Sequence, residues 1–312
     1  MSLPLTVVPV PGHGAEDVVV DADGWVLTGT ADGAVFRVRP DGARIDRVGH
    51  TGGRPLGLEL LPDGRVLVCD ARRGLLALDP GTGAVEELTT LVHGRPMVFC
   101  NNAAVHSGGD IWFSDSSRVH GIDRWKADIV ENTSSGRLLR RSPDGTVEVV
   151  LEGLRFANGV ALAADESYVA VAETAGRTVV RRWLTGPKRG ETDHLATDLP
   201  GYPDNISRGS DGLVWVTLAS PLLPSLERVM RAPRPVRRLA WRLPDRLQPA
   251  PRRSVRVLAL DDDGRVVHDL EADASAYHLV TGVREHRGRV WLGSLEESAV
   301  AVLDPERVVQ QE

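Results

Sequence analysis

Cysteine is nearly missing from this chain: Cys69 and Cys100 are the two in 312 residues, too few for a disulfide framework. Both fall inside expected strands and are read as buried free thiols. No stretch approaches 18 uninterrupted apolar residues, which excludes a membrane-spanning helix. The opening MSLPLTVVPVPGHG lacks a basic region and a long apolar run, so no secretory signal is read there and a cytoplasmic location is the expectation. Lysine is confined to Lys126 and Lys188 against 35 arginines, a skew attributed to GC-rich coding rather than to function. The formal net charge is -6 and no aromatic-basic stripe appears, which gives no support to a nucleic-acid partner. Catalytic signatures are absent too. There is no GxSxG, no phosphate-cradling GxGxxG or Walker pattern, and no HExxH among the nine histidines.

What is present is a repeat. DGWVLTGT, DGRVLVCD, GDIWFSD, ESYVAVAET, DGLVWVTLA and RGRVWLGSL place turns at Gly24, Gly64, Gly109, Glu166, Gly212 and Gly288. Spacings of 40 residues or more leave room for about four short strands per unit. The pattern predicts an all-β fold, a six-bladed β-propeller of antiparallel strands, with residues 1–312 as a single domain. The last blade lacks a fourth strand, and Leu5–Val8 is free to supply it and close the ring.

Eight residues ahead of the six turns stand Glu16, Leu56, Asn101, Asn158, Asp204 and Val280. Innermost strands line the central channel, so these positions form a ring. Two carboxylates and two amides in one ring make a hard-cation cage, with all-oxygen ligation favouring Ca2+ over Zn2+ and allowing Mg2+ or Mn2+. Without a counter-ion, Glu16 and Asp204 would repel each other in a low-dielectric channel. Open coordination positions suit a catalytic ion. His13, His93 and His278 precede channel-entering strands, and Asp115 and Glu173 return to the same face, either to orient ligands or to cap turns.

Two insertions break the rhythm, at 117–135 and 221–254. In the second, Leu222, Leu226, Val229 and Met230 keep helical spacing, as do Val236, Leu239, Ala240 and Leu243. Nine arginines there face Glu227 and Asp245. The segment is read as a helical, lid-like insertion, with plain packing or weak contact with a membrane surface as the alternatives.

The phrases FCNNAAV, DIWFSDSS, LRFANGVALAADESYVAVAET, LPGYPDNI and VREHRGRVWLGSL resemble the strictosidine-synthase-like proteins of the gluconolactonase, regucalcin and paraoxonase superfamily. The resemblance implies a propeller with a central metal, usually calcium, and hydrolysis of lactones or esters in many members. It carries the metal ligands onto Glu16, Asn101, Asn158 and Asp204, adds Asn205 by similarity to paraoxonases, and makes Asp204 the catalytic proton acceptor. The departures are specific. Thr281 stands where strictosidine synthases carry a catalytic glutamate, Leu56 where paraoxonases advance a histidine, and Phe99 where gluconolactonases hold an arginine. Asp17 and Asn102 match a second calcium site weakened by the amide. The expected activity is therefore metal-dependent hydrolysis of an apolar lactone or carboxylic ester, a small-molecule substrate. A metal-stabilised binding propeller without turnover, or a cyclase of specialised metabolism, are the alternatives.

Overall fold

The computed structural model describes residues 3–244 and 248–304, so Asp245 and Arg246 of the insertion lie outside the described residues. Six four-stranded antiparallel sheets form the blades. Their inner strands are Val19–Val20, Pro55–Leu60, Cys100–Val105, Ala157–Leu162, Gly201–Arg208 and Val280–His286, for blades 1 to 6. Blade 6 is completed by Leu5–Pro9, which pairs antiparallel with Ala299–Leu303 and closes the ring as the sequence anticipates. Such closure removes the exposed edge that an open sheet of this size would present.

Apolar side chains concentrate between blades. Val19 and Val35 of blade 1 pack on Leu58 and Leu76 of blade 2. Val179 of blade 4 packs on Ile206 and Leu258 of blade 5, and each neighbouring pair around the ring shares such a cluster. Middle strands are covered on both faces, so VLVC and YVAVA read as apolar runs, and both strands are buried through to Asp70 and Glu173 at their ends. Each large side chain so buried contributes about 1.5–3 kcal/mol. Cys69 and Cys100 are free and sit in the cluster between blades 2 and 3.

Both insertions lie over one mouth of the channel. Residues 117–135 contain helix α1 (Trp125–Glu131), and the second insertion contains α2 (Pro224–Met230) and α3 (Arg234–Trp241). Leu226 and Met230 of α2 are buried in a cluster with Ile129 and Val130 of α1 and with Leu56, Phe99 and Phe156 of the blades. The apolar spacing of α3 serves less well: Val236, Leu239 and Leu243 are exposed. Among the described residues no helix is long and apolar enough to cross a membrane.

Candidate metal centre

Five inner strands carry a β-bulge at one common station. Strand pairing skips Leu56–Gly57, Asn101–Asn102, Asn158–Gly159, Asp204–Asn205 and Thr281–Gly282, each pair opposing a single residue. Glu16 and Asp17 hold the matching place just ahead of Val19 in blade 1. Blade 6 corrects the sequence register, since Thr281 and not Val280 occupies the station. The cause is turn length: His286 pairs with Arg289 across two residues, whereas Leu60 pairs with Val66 across five.

The first residue of each bulge points into the channel. Glu16, Leu56, Asn101, Asn158, Asp204 and Thr281 all line one pocket with about 800 Å³ of empty space, partly open to solvent. The residue two places earlier faces the same way, and Phe99, Phe156, Tyr202 and Leu279 form an apolar layer above the polar one. Phe156 (φ 63°) and Leu279 (φ 47°) hold left-handed backbone there, a strain tolerated where the surroundings over-determine the position. Phe99 and Phe156 meet edge to face at 5.4 Å between ring centroids.

The second residue of each bulge alternates around the ring. Asp17, Asn102 and Asn205 occupy blades 1, 3 and 5, and glycine occupies blades 2, 4 and 6. A Cβ on Gly57 would lie 2.6 Å from the Asn102 Cα, one on Gly282 2.6 Å from the Asp17 Cα, and one on Gly159 2.6 Å from the Asn205 Cα. The residue facing each bulge alternates in step. Thr28, Ser114 and Thr217 donate to the carbonyls of Asp17, Asn102 and Asn205 at 2.7, 3.4 and 3.1 Å.

Asp17 and Asn102 are consumed by this framework. The Asp17 carboxylate accepts from Leu58 N at 2.9 Å and Asn102 Nδ2 at 3.4 Å, and Asn102 Oδ1 accepts from Val160 N at 2.9 Å. Asn205 behaves otherwise: its Nδ2 donates to Glu16 Oε1 at 3.2 Å.

Among the described residues four buried oxygens receive no hydrogen bond: Glu16 Oε2, Asn101 Oδ1 and Asn158 Oδ1 of the pocket lining, and Asn205 Oδ1 beside Glu16. Asn158 Nδ2 donates to Thr174 Oγ1 at 3.2 Å, so its amide nitrogen is satisfied while its oxygen is not. Unmet buried acceptors cost on the order of 1–3 kcal/mol each. Their convergence beside Asp204 fits a hard divalent cation, which oxygen donors of this kind would hold. Among the described residues no group of three His, Cys, Asp or Glu is set to bind a metal, and the oxygens gathered here mix carboxylates with amides.

The electrostatics agree with the donor set. Burial drives the Glu16 carboxyl well above its usual range, helped by Asp17 and Asp204 and opposed by the buried Arg54. Asp204 is pushed up to about 7, first by burial and then by Asp17, against a hydrogen bond with Asn158. Asp17 rises to about 6, again through burial, with the Leu58 N–H opposing.

No histidine lines the pocket among the described residues. His278 is engaged by Glu296 and Glu297, and His93 turns a short hairpin with φ 50°. Asp115 and Glu173 are turn braces: they accept from Phe99 N at 2.9 Å and Arg155 N at 2.8 Å. Asp70 does the same for Arg54 N at 2.9 Å. Glu285 accepts from Ser210 Oγ and Gly288 N, away from the pocket. Sequence reasoning did not bring α1 to the site, although Ile122, Trp125 and Ile129 carry helical spacing and all line the pocket.

Residues 101–187 match the strictosidine synthase family model and residues 4–38 the strictosidine synthase-like N-terminal model. The chain is 34% identical over 261 residues to protein strictosidine synthase-like 13 of Arabidopsis thaliana, covering 80% of this chain and 61% of that protein. It therefore spans less than two thirds of that relative's length. Adipocyte plasma membrane-associated protein of Salmo salar is 33% identical over 317 residues, covering 91% of this chain and 74% of the relative. Among solved structures, a gluconolactonase of Xanthomonas campestris superposes with a TM-score of 0.69 at 17% identity, covering 96% of this chain and 89% of the other. The calcium-binding protein regucalcin of Agrobacterium tumefaciens gives 0.68 at 14%, covering 97% and 94%. The likeness to these two structures is one of fold.

Proposed function

The chain belongs to the strictosidine synthase-like family, and on that premise we propose that it hydrolyses apolar lactones or carboxylic esters with the help of one divalent cation, most simply Ca2+. The observation that carries this reading is the set of buried oxygens on Glu16, Asn101 and Asn158, without a hydrogen-bond partner among the described residues, at the floor of an apolar pocket, with a fourth on Asn205 beside Glu16. Glu16, Asn101, Asn158, Asp204 and Asn205 would hold the ion. Bound there, it would polarise an ester carbonyl and lower the pKa of water.

The chain's own groups supply the rest. Asp204 is the ring carboxylate that keeps partial solvent access, which places it to take a proton from water. The water oxygen then bonds to the acyl carbon, the ester C–O bond breaks, and Asp204 returns the proton to the leaving alkoxide oxygen. A lactone yields a hydroxy acid, and an ester an acid and an alcohol. Leu56, Phe99, Phe156 and Leu223 exclude bulk water and favour an apolar acyl chain. Amine–aldehyde condensation finds no group to drive it at blade 6, since Thr281 Oγ1 is spent on the Glu16 carbonyl at 2.7 Å.

We read 221–254 as a lid: Leu223 and Leu226 form part of the pocket wall. The exposed Val236 and Leu239, set among arginines of α3, give that lid an outer face suited to weak contact with an anionic surface. The test is a panel of lactones, aryl esters and gluconolactone, assayed with and without chelator. Metal-dependent turnover of apolar esters with little activity on gluconolactone is expected. No turnover across the panel in calcium-loaded protein would overturn the hydrolase reading.

A further inference from the structure

The pocket has a second polar pole, away from the cage. Lys126 lines its wall from α1, and none of the described arginines does. The side chain is half-buried, with Nζ 5.3 Å from the centroid of the Trp125 ring, another wall residue. A cation–π contact of this kind orients an ammonium without neutralising it. Among the described residues the nearby acids are committed elsewhere. Asp123 pairs with Arg72 at 2.8 Å, Asp128 accepts from Thr133 Oγ1 at 2.7 Å, and Glu131 faces His120 at 3.5 Å. Lys126 stands on an insertion helix packed against Phe99, Phe156 and α2, whereas the cage residues stand on the inner-strand bulges. The rest of the wall is mostly apolar and includes Ile129, Val130, Leu223 and Leu226.

From this arrangement we infer that the occupant of the pocket is an amphiphilic anion: an apolar body whose hydrolysable group meets the cage and whose remote carboxylate is gripped by Lys126. The inference rests on the reading of the pocket as a substrate site. The ammonium offers three donors on a flexible stem, which suits a single-point carboxylate contact rather than a fixed bidentate one. An apolar wall alone separates substrates poorly, whereas one unpaired charge on that wall discriminates between a carboxylate and its neutral analogue.

The test uses octanoate and octanol, titrated into the chelated, metal-free full chain and followed by tryptophan fluorescence or calorimetry. Removing the metal prevents the carboxylate from binding at the cage instead. Octanoate should bind about five- to tenfold more tightly than octanol, a preference that reflects one half-exposed charged contact. Lys126→Met should abolish the preference while leaving octanol affinity unchanged. Lys126→Arg should retain most of it, and Lys126→Glu should reverse it. A preference that survives in Lys126→Met, or no binding of either ligand to wild-type protein, overturns the inference. The two proposals separate cleanly. Lys126-dependent binding in a protein that hydrolyses nothing defeats only the hydrolase reading, and metal-dependent hydrolysis without any charge preference defeats only this one.

Discussion

Asn205 of blade 5 donates its Nδ2 to Glu16 Oε1 of blade 1 at 3.2 Å, while its own Oδ1 and the second Glu16 oxygen receive nothing. One hydrogen bond thus joins residues 189 apart in sequence and holds two acceptors uncommitted. Asn102, at the equivalent place in blade 3, instead gives its oxygen to Val160 N. The difference separates a residue that staples blades from one that keeps its oxygen uncommitted.

Asn205→Ala should therefore weaken calcium binding by at least about tenfold, through loss of one donor and release of Glu16. Isothermal titration with calcium reads the change directly. Unchanged affinity would remove Asn205 from the cage.

Stability should fall more steeply with rising pH in metal-free than in loaded protein. Asp17 and Asp204 are raised to about 6 and about 7, so in metal-free protein their contribution is full below about pH 4 and lost as pH rises through those values. Calcium removes the penalty on the Asp204 anion, so the gain in Tm on adding calcium should grow from pH 5 to pH 8. Asp204→Asn should be more stable than wild type without metal at pH 8, and should lose calcium binding. Thermal melts with and without chelator measure both. A calcium-induced shift that is flat across this range would contradict the assignment.

The alternating glycines make a structural prediction. Gly159→Ala would bring a Cβ to 2.0 Å from Ile206 N, a backbone atom, and should lower stability by about 1–3 kcal/mol. Gly24→Ala meets nothing within 4 Å but has φ 80°, so its cost is backbone strain alone and should be about 1 kcal/mol. Chemical denaturation of the two variants gives the ranking, and equal losses would argue against the close approach at Gly159.

Much of this was legible in the chain itself. Repeated DG turns and paired apolar runs gave six blades, and LTVV found its place in blade 6 because a propeller leaves no edge unpaired. Glu16, Asn101, Asn158 and Asp204 line one pocket because equal offsets from equivalent turns become equal depths in a channel. Val280 failed on that same logic, since the offset is reliable only where hairpins share a length. The Gly57, Gly159 and Gly282 alternation was hidden because each glycine answers a side chain of the neighbouring blade, a contact without sequence periodicity. Val236, Leu239 and Leu243 kept helical spacing without a surface to cover, as local pattern does not specify docking. Trp125 and Lys126 were missed because the blade 3 insertion reaches the pocket only through tertiary packing on α2.

Replacing 221–254 with a short Gly/Ser loop should remove Leu223 and Leu226 from the pocket wall and change the substrate profile while calcium stays bound. Discrimination between short and long acyl chains should fall, with KM for long-chain esters rising several-fold. Identical kinetics across a chemically diverse panel would assign the insertion a packing role only.

The most direct test of the account is elemental analysis coupled to an ester assay on one preparation, before chelation, after it, and after calcium is restored, with circular dichroism confirming the fold at each stage. The account predicts one calcium per chain, loss of turnover with the metal, and recovery on its return. Turnover that persists in folded protein stripped of metal would contradict it.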